Sequence, residues 1–205
     1  AQRMKYLVLF VVLAVAIGVA ADGTRSVLGV SVSLSEAEVH WRQFLASLQD
    51  RGLHGVRYVV SDDRAGLKQA REARFAGVPW QRCQFHLAQN AMQYVPTLAM
   101  RKEVARDLRG VLEANDRPEA DRRLRELVKK YADAAPRLAA WLDENGPEAL
   151  TVLGLPTTHR RKLRTTNMLE RVNKEIKRRT RVATLFPNEP SALRLVTAVL
   201  MEISE

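Results

Sequence analysis

The amino-terminal part of the chain alternates between apolar runs and short polar breaks. An apolar run from Leu7 to Ala21 is rich in Val and Ile, as expected for a strand buried on both faces. It passes through the turn dipeptide Asp22-Gly23 into an alternating segment from Val27 to Leu34. This order predicts a β-hairpin.

The same run also has the outline of a secretory signal peptide. Arg3 and Lys5 precede it, and Val19-Ala20-Ala21 resembles a small-residue cleavage site. A membrane-spanning helix needs about 20 apolar residues, and this run is shorter. The local pattern favours the strand but leaves the signal peptide open as an alternative.

The segment after the hairpin predicts alternating helices and strands. Ser35 and Glu38 have capping-box spacing, and helical spacing of apolar residues continues to Gly52. Three further elements follow, which are a strand over Val56–Val60, a helix over Ala65–Ala76 and a strand over Trp80–Phe85. The order strand, strand, helix, strand, helix, strand predicts a mixed α/β sheet.

From about Leu87 to Asn145 the apolar residues recur only at helical spacing. One stripe contains Val104 and Leu108, and the next contains Leu124 and Leu127. Such stripes are ordinarily the buried faces of packed helices. The segment therefore predicts a helical subdomain, and it contains no cofactor-binding motif.

Charge is concentrated near the carboxyl end. The chain of 205 residues carries a formal net charge of +10, and ten Lys or Arg against two Glu between His159 and Arg181 account for +8 of it. Leu169, Val172 and Ile176 give this segment an apolar face, and a closing helix is predicted over Leu193–Ile203. A solvated basic helix is the plain interpretation, but so dense a run favours contact with a DNA backbone.

Two acidic residues stand where metal-dependent chemistry could use them. Asp62 follows a predicted buried strand, and Glu170 is one of two acids in the basic segment. Asp62 also suits a turn, and Glu170 suits a capping box with Asn167. Phosphodiester cleavage uses divalent cations held by carboxylates beside cationic phosphate-binding groups. Both interpretations stay open at this point.

Cys83 and His86 form a C-x-x-H pair. As the only cysteine, Cys83 excludes an internal disulfide. No second pair at zinc-ligand spacing follows, so we expect no zinc. A Cys–His nucleophile pair is also a weak interpretation, because no third orienting group is evident.

Several motifs together resemble the Mutator-type bacterial insertion-sequence transposases. The longest runs from Thr166 through Asn167-Met168-Leu169-Glu170-Arg171 to Val182. The others are Ala16-Ile17-Gly18-Val19 with Asp22-Gly23, Val27-Leu28-Gly29-Val30, Val59-Val60-Ser61-Asp62 with Gly66-Leu67, Trp80 to His86, and Phe186-Pro187. The resemblance covers the chain from about residue 12 and places Val12–Val19 on an internal strand.

The resemblance implies a ribonuclease H-like α/β fold interrupted by an all-helical insertion. On this basis we expect the first part of a catalytic domain over 1–88, the insertion over 89–158 and a return to the catalytic domain over 159–205. It implies an Asp-Asp-Glu triad that binds Mg²⁺, with Mn²⁺ as a substitute. By match, Asp62 is the second aspartate and Glu170 the glutamate, and Cys83 and His86 support the active site.

The resemblance also implies transposon-end double-stranded DNA as the partner. The residues expected to contact DNA lie in two of the matching motifs and are Trp80, Arg82, Asn167, Arg171, Asn173, Lys174, Lys177, Arg178, Arg179 and Arg181. We further expect a homodimer, no membrane association, and a cytoplasmic location at the nucleoid.

One departure from the family pattern concerns the first aspartate of the triad. The family carries it on a strand before the hairpin, and no counterpart precedes Leu7. We therefore expect an amino-terminally truncated chain without its first strand and with little or no transposition activity. The alternative is a non-catalytic DNA-binding or dimerising remnant.

Overall fold

A computed structural model describes residues 12–20, 24–33, 37–180 and 189–204 of the chain. The strands are β1 (Val12–Val19), β2 (Arg25–Ser33), β3 (Val59–Ser61) and β4 (Trp80–Arg82). The helices are α1 (Glu38–Asp50), α2 (Ala65–Arg74), α3 (Gln84–Ala91), α4 (Leu98–Leu112), α5 (Arg117–Tyr131), α6 (Pro136–Asn145), α7 (Thr157–Leu163), α8 (Asn167–Thr180) and α9 (Glu189–Ser204). Among the described helices, none is both long enough and apolar enough to cross a membrane.

The chain divides into two compact units. The first contains residues 1–56, 64–77 and 167–205, and the second contains 57–63 and 78–166. Each unit therefore draws on distant stretches of sequence. The expected division at residues 88 and 158, into a catalytic domain and an insertion, stays a prediction.

The first unit is built on the β1–β2 hairpin. The strands pair antiparallel from Val12 opposite Ser33 to Val19 opposite Arg25, which confirms the predicted hairpin; its expected turn, Asp22-Gly23, lies outside the described residues. The register shifts between Ala16 and Ile17. At this bulge Leu28 is an extra residue in β2, as in bulges where two residues oppose one.

Helices cover both faces of the hairpin. Val15 and Ile17 of β1 pack with apolar residues of α8 and α9, whereas Ala14 and Ala16 pack with α1. This is the two-residue alternation of a strand buried on both sides. Gly29 allows the close approach of α1, because a Cβ there would lie 2.8 Å from the Leu48 side chain.

The start of α1 is described from Ala37 onward, and its end is described in full. The helix begins at Glu38 with Ala37 as its N-cap residue. The predicted cap, Ser35, lies outside the described residues. The predicted stop is confirmed, since α1 ends at Asp50 and Gly52 has a φ of 100°, where glycine is favoured.

The second unit contains β3, β4 and the helices α3 to α7. Leu87, Val104, Leu108, Leu138 and Leu142 are at most 1% exposed in one continuous core. Asp116 caps α5 by accepting a hydrogen bond from the Glu119 amide at 2.8 Å. The helices predicted from the apolar stripes are therefore confirmed, and their extent as a separate subdomain stays a prediction.

The prediction of one mixed sheet is wrong for the described residues. The strands form two separate two-stranded sheets, an antiparallel β1–β2 pair and a parallel β3–β4 pair. The periodicity of apolar residues identifies strands, but the choice of partner depends on contacts between distant parts of the chain. The α/β class is correct, and the ribonuclease H-like topology stays a prediction.

Candidate active site

Parallel pairing of β3 and β4 places Asp62 beside Cys83. Ser61, the last residue of β3, is in register with Arg82, the last residue of β4. The Cys83 amide continues the ladder and donates to the Ser61 carbonyl at 2.9 Å. Because the carboxyl ends of parallel strands share one edge, the residues that follow them emerge side by side.

His86 completes a cluster with these two residues. Cys83 is the N-cap of α3, and His86 lies in its first turn. The imidazole Nδ1 of His86 contacts a carboxylate oxygen of Asp62. One ligand atom from each of Asp62, Cys83 and His86 lies within 4.8 Å of the others. We call these residues the Asp62–Cys83–His86 cluster.

Thr166 holds the sulfur of Cys83 in place. Its backbone N–H and its side-chain hydroxyl each donate to Cys83 Sγ at 3.3 Å. Cys83 is fully buried, and Thr166 is 8% exposed. The neighbouring chain is fixed as well, since the Gln84 amide donates to the Arg164 carbonyl at 3.0 Å. Sequence reasoning did not identify Thr166, which is 83 positions from Cys83.

Asp62 is partly buried, and its surroundings shift the pKa of its carboxyl in opposite directions. Burial raises the pKa of the Asp62 carboxyl, while His86 and, more weakly, Arg82 act to lower it. Its side chain keeps 28% of its surface exposed. Asp62 is thus accessible from solvent and can serve as a ligand for a cation.

Arg82 is at the centre of a buried network. Its side chain is 3% exposed, and Nη1 lies 2.9 Å from Asp63 Oδ2 and 3.3 Å from Glu148 Oε2. Nη1 also donates to Asn145 Oδ1 at 2.8 Å, and the guanidinium stacks over Trp141 at 5.3 Å from the ring centroid. These contacts are those of a structural residue, and contact of Arg82 with DNA stays a prediction.

Trp80 and Gln81 tie β4 to its surroundings. The indole Nε1 of Trp80 donates to Ser61 Oγ at 2.9 Å. Gln81 is fully buried; its Nε2 donates to the Ala149 carbonyl, and its Oε1 accepts from the Val152 amide, both at 2.7 Å. Gln81 therefore anchors β4 to the turns that follow α6, a role that its sequence position alone did not indicate.

Helix α8 in the first unit carries Glu170 and the basic residues. Its apolar face is confirmed, because Val172 and Ile176 are 5% and 3% exposed and pack with α9 and the hairpin. Glu170 lies in the first turn of the helix and is partly buried. The apolar residues of α8 therefore face α9 and the hairpin. The polar residues lie on the other sides of the helix.

One exposed stripe of α8 carries several of the predicted DNA-contacting residues. Asn167, Arg171, Lys174 and Arg178 are all exposed, and their spacing of four, three and four residues places them along one side of a helix. Arg178 is held by Glu175 at 2.7 Å and is still 67% exposed. We call these four residues the α8 stripe.

The other predicted DNA-contacting residues of this region lie differently. Arg179 is half-buried, where it pairs with Glu175 and contacts Glu202 of α9. Asn173 is also half-buried. The side chain of Lys177 and the whole of Arg181 lie outside the described residues.

Comparison with known proteins identifies the family. The model of the family described as "Transposase, Mutator family" matches residues 3–205. The transposase for insertion sequence element IS406 of Burkholderia multivorans is 51% identical over 191 residues, which are 93% of this chain and 49% of that relative.

Two further relatives are more distant. The transposase for element ISRM5 of Rhizobium meliloti is 40% identical over 93% of this chain and 48% of its own length. The transposase for element IS256 in transposon Tn4001 of Staphylococcus aureus is 34% identical over 93% of this chain and 49% of its own length. The chain thus spans about half the length of these relatives, and it belongs to the Mutator family of transposases.

Proposed function

We propose that the chain supplies part of the machinery for metal-dependent DNA cleavage and strand transfer at transposon ends. The observation that carries this proposal is the family match over residues 3–205. In this proposal Asp62 and Glu170 are metal-binding carboxylates on a ribonuclease H-like scaffold. The partly exposed position of Asp62 at the end of β3 supports its share of this role.

The ligand chemistry near Asp62 fits magnesium only in part. Mg²⁺ prefers oxygen ligands in octahedral geometry. Asp62 supplies a carboxylate, whereas its neighbours in the Asp62–Cys83–His86 cluster offer sulfur and nitrogen. Asp62 is suited to be one ligand, and Glu170 is the second that we propose. A bound divalent cation would activate the attacking oxygen and stabilise the leaving one.

We propose that α8 makes contacts with DNA. The α8 stripe presents three cationic side chains along one exposed side of the helix, where they can follow a row of phosphates. Glu175 neutralises part of this charge through Arg178 and Arg179. Phosphate contacts of this kind position a protein without reading sequence, so the choice of terminal repeat is assigned to other residues.

The 205 residues alone are proposed to lack transposition activity. The chain spans about half the length of its relatives, and the triad implied by the family pattern needs a third carboxylate besides Asp62 and Glu170. The second candidate function is therefore DNA binding or dimerisation without catalysis, and the exposed α8 stripe favours it. For either candidate function we propose that the chain forms a homodimer and associates with the nucleoid.

The test is a cleavage assay with the purified chain and DNA carrying the ends of the element. With Mg²⁺ or Mn²⁺ we expect binding but no cut or joined product. Metal-dependent cleavage that is lost in Glu170→Ala would contradict the inactivity of the isolated chain while supporting the role of Glu170. Cleavage that Glu170→Ala leaves unchanged would contradict the assignment of Glu170.

A further inference from the structure

The second unit carries its excess of positive charge at α7. Its residues include 17 Lys or Arg and 13 Asp or Glu, and four of the cations, which are Arg160, Arg161, Lys162 and Arg164, belong to α7 or follow it directly. No acidic residue occurs between positions 149 and 169. The rest of the unit is therefore balanced, with 13 cations and 13 acids.

The cations of α7 differ from many of those on α4 and α5 in having no acidic partner. On α5, Arg117 pairs with Asp121 at 2.8 Å, and Lys130 reaches Glu103 of α4 at 2.6 Å. No ion pair joins a side chain of α7 to an acid in the part of the chain that the structure describes. The charge of α7 is thus uncompensated.

Two contacts fix the orientation of α7. Leu163 packs against the core of the second unit. Arg160, three residues earlier and so on the same side of the helix, donates from Nε to the Leu155 carbonyl at 2.8 Å. Because a helix turns by about 100° per residue, Arg161 and Lys162 lie on the opposite side, where both are exposed. Arg160 is therefore a structural residue, and the other two form a basic surface.

The residues that follow α7 are also held within the second unit. The Arg164 carbonyl accepts a hydrogen bond from the Gln84 amide at 3.0 Å. Thr166 donates to Cys83 Sγ from both its amide and its hydroxyl. The basic run found in the sequence is therefore divided, with α7 fixed in the second unit and α8 in the first.

We propose that Arg161 and Lys162 form a second DNA-contacting surface, in addition to the α8 stripe. We call these two residues the α7 pair. Its ligand is the sugar–phosphate backbone of double-stranded DNA, because exposed and uncompensated Lys and Arg side chains bind phosphates. Such contacts add affinity without reading sequence. The inference rests on DNA as the partner in the proposed function, but it does not depend on metal binding or on cleavage.

The test measures the binding of a labelled DNA duplex by the purified chain over a range of salt concentrations. The double variant Arg161→Gln/Lys162→Gln should weaken binding about tenfold or more at low salt, and the slope of log K against log salt should become shallower by about 2. Because backbone contacts do not read sequence, a second duplex of unrelated sequence should show the same change.

Arg101→Gln/Lys102→Gln is the matched control. It removes an adjacent Arg and Lys that are exposed on α4 in the same unit, and it should leave the slope unchanged. Equal effects of the two double variants would overturn the proposal, because binding would then follow the total charge. Unchanged binding in Arg161→Gln/Lys162→Gln would overturn it as well.

A second measurement uses the unchanged chain and so needs no variant that folds. Lysine acetylation, mapped by mass spectrometry, should show that saturating duplex protects Lys162 and leaves Lys102 reactive. Protection of Lys174 in α8 without protection of Lys162 would overturn the α7 pair and leave the proposed role of α8 intact. If neither Lys162 nor Lys174 is protected, both assignments of DNA contact fail.

Discussion

Ser61 of β3 lies directly opposite Arg82 of β4 in a parallel pair of strands. Each strand is only three residues long, yet this register determines which side chains share the carboxyl edge. Asp62 follows one strand and Cys83 follows the other, so two residues 21 positions apart in sequence meet. The stability of this short pair therefore depends on the side chains that anchor it.

Gln81→Leu should destabilise the second unit. The substitution removes the acceptor for the buried Val152 amide, and an unpaired buried donor costs about 2 kcal/mol. Ala149 is less affected, since its carbonyl also accepts from Gln84 at 3.0 Å. Denaturant unfolding checks the value, with Gln89→Leu on the exposed side of α3 as the control. Equal unfolding free energies for the two variants would contradict the anchoring role of Gln81.

Arg82→Met should reduce the free energy of unfolding by about 2–3 kcal/mol. Breaking a buried ion pair is costly, but Asp63 and Glu148 are 26% and 27% exposed and regain some hydration, which moderates the loss. Arg101→Met on the exposed side of α4 is the matched control. A variant as stable as this control would show that the Arg82 guanidinium contributes no net stability. That result would favour contact with DNA as the role of Arg82.

The Glu175 carboxyl should titrate at unusually low pH. Hydrogen bonds from Arg178 and Arg179 lower its pKa from 4.5 to about 2. Because the folded value is the lower one, the stabilisation is complete above the unfolded pKa near 4.5 and is lost as the pH falls through about 2. Carbon-13 NMR of the carboxyl measures the midpoint directly. The double variant Arg178→Gln/Arg179→Gln should move it towards 4.5, and a low midpoint that survives this change would refute the cause.

The α8 stripe should account for a measurable part of the salt dependence of DNA binding. Replacing Arg171, Lys174 and Arg178 by Gln removes three phosphate contacts, so the slope of log K against log salt should become shallower by about 2–3. A matched triple on α5 replaces Arg122, Arg125 and Lys129, which are exposed and have the same spacing. If both triples change the slope equally, binding follows total charge rather than the α8 stripe.

The elements of the fold were largely predictable from local patterns. The Val- and Ile-rich run with its alternating partner predicted β1 and β2, and the apolar stripes predicted α4 and α5. These signals extend over many residues and repeat. The capped start at Ser35 stays a prediction, because Ser35 lies outside the described residues.

The pairing of strands and the details of the site were not predictable in the same way. The sequence predicted a strand over Val56–Val60, near the observed β3, but nothing local specifies Trp80–Arg82 as the parallel partner of β3. The convergence of Asp62 on Cys83 and the contact from Thr166 depend on that partner. One signal was present, since Asp62 follows the predicted strand Val56–Val60 and Cys83 lies within the predicted strand Trp80–Phe85. Parallel pairing would have brought them together.

The role of Asp62 and Glu170 is tested most directly in a chimeric transposase. The 205-residue chain would replace the matching half of the Burkholderia multivorans relative, which is 51% identical, and excision of that relative's element would be measured in Mg²⁺. We expect an active chimera in which Asp62→Asn and Glu170→Gln each reduce excision at least 100-fold, while Asp143→Asn, an exposed change on α6, has no effect. An active chimera that keeps its rate in either Asp62→Asn or Glu170→Gln would contradict the account.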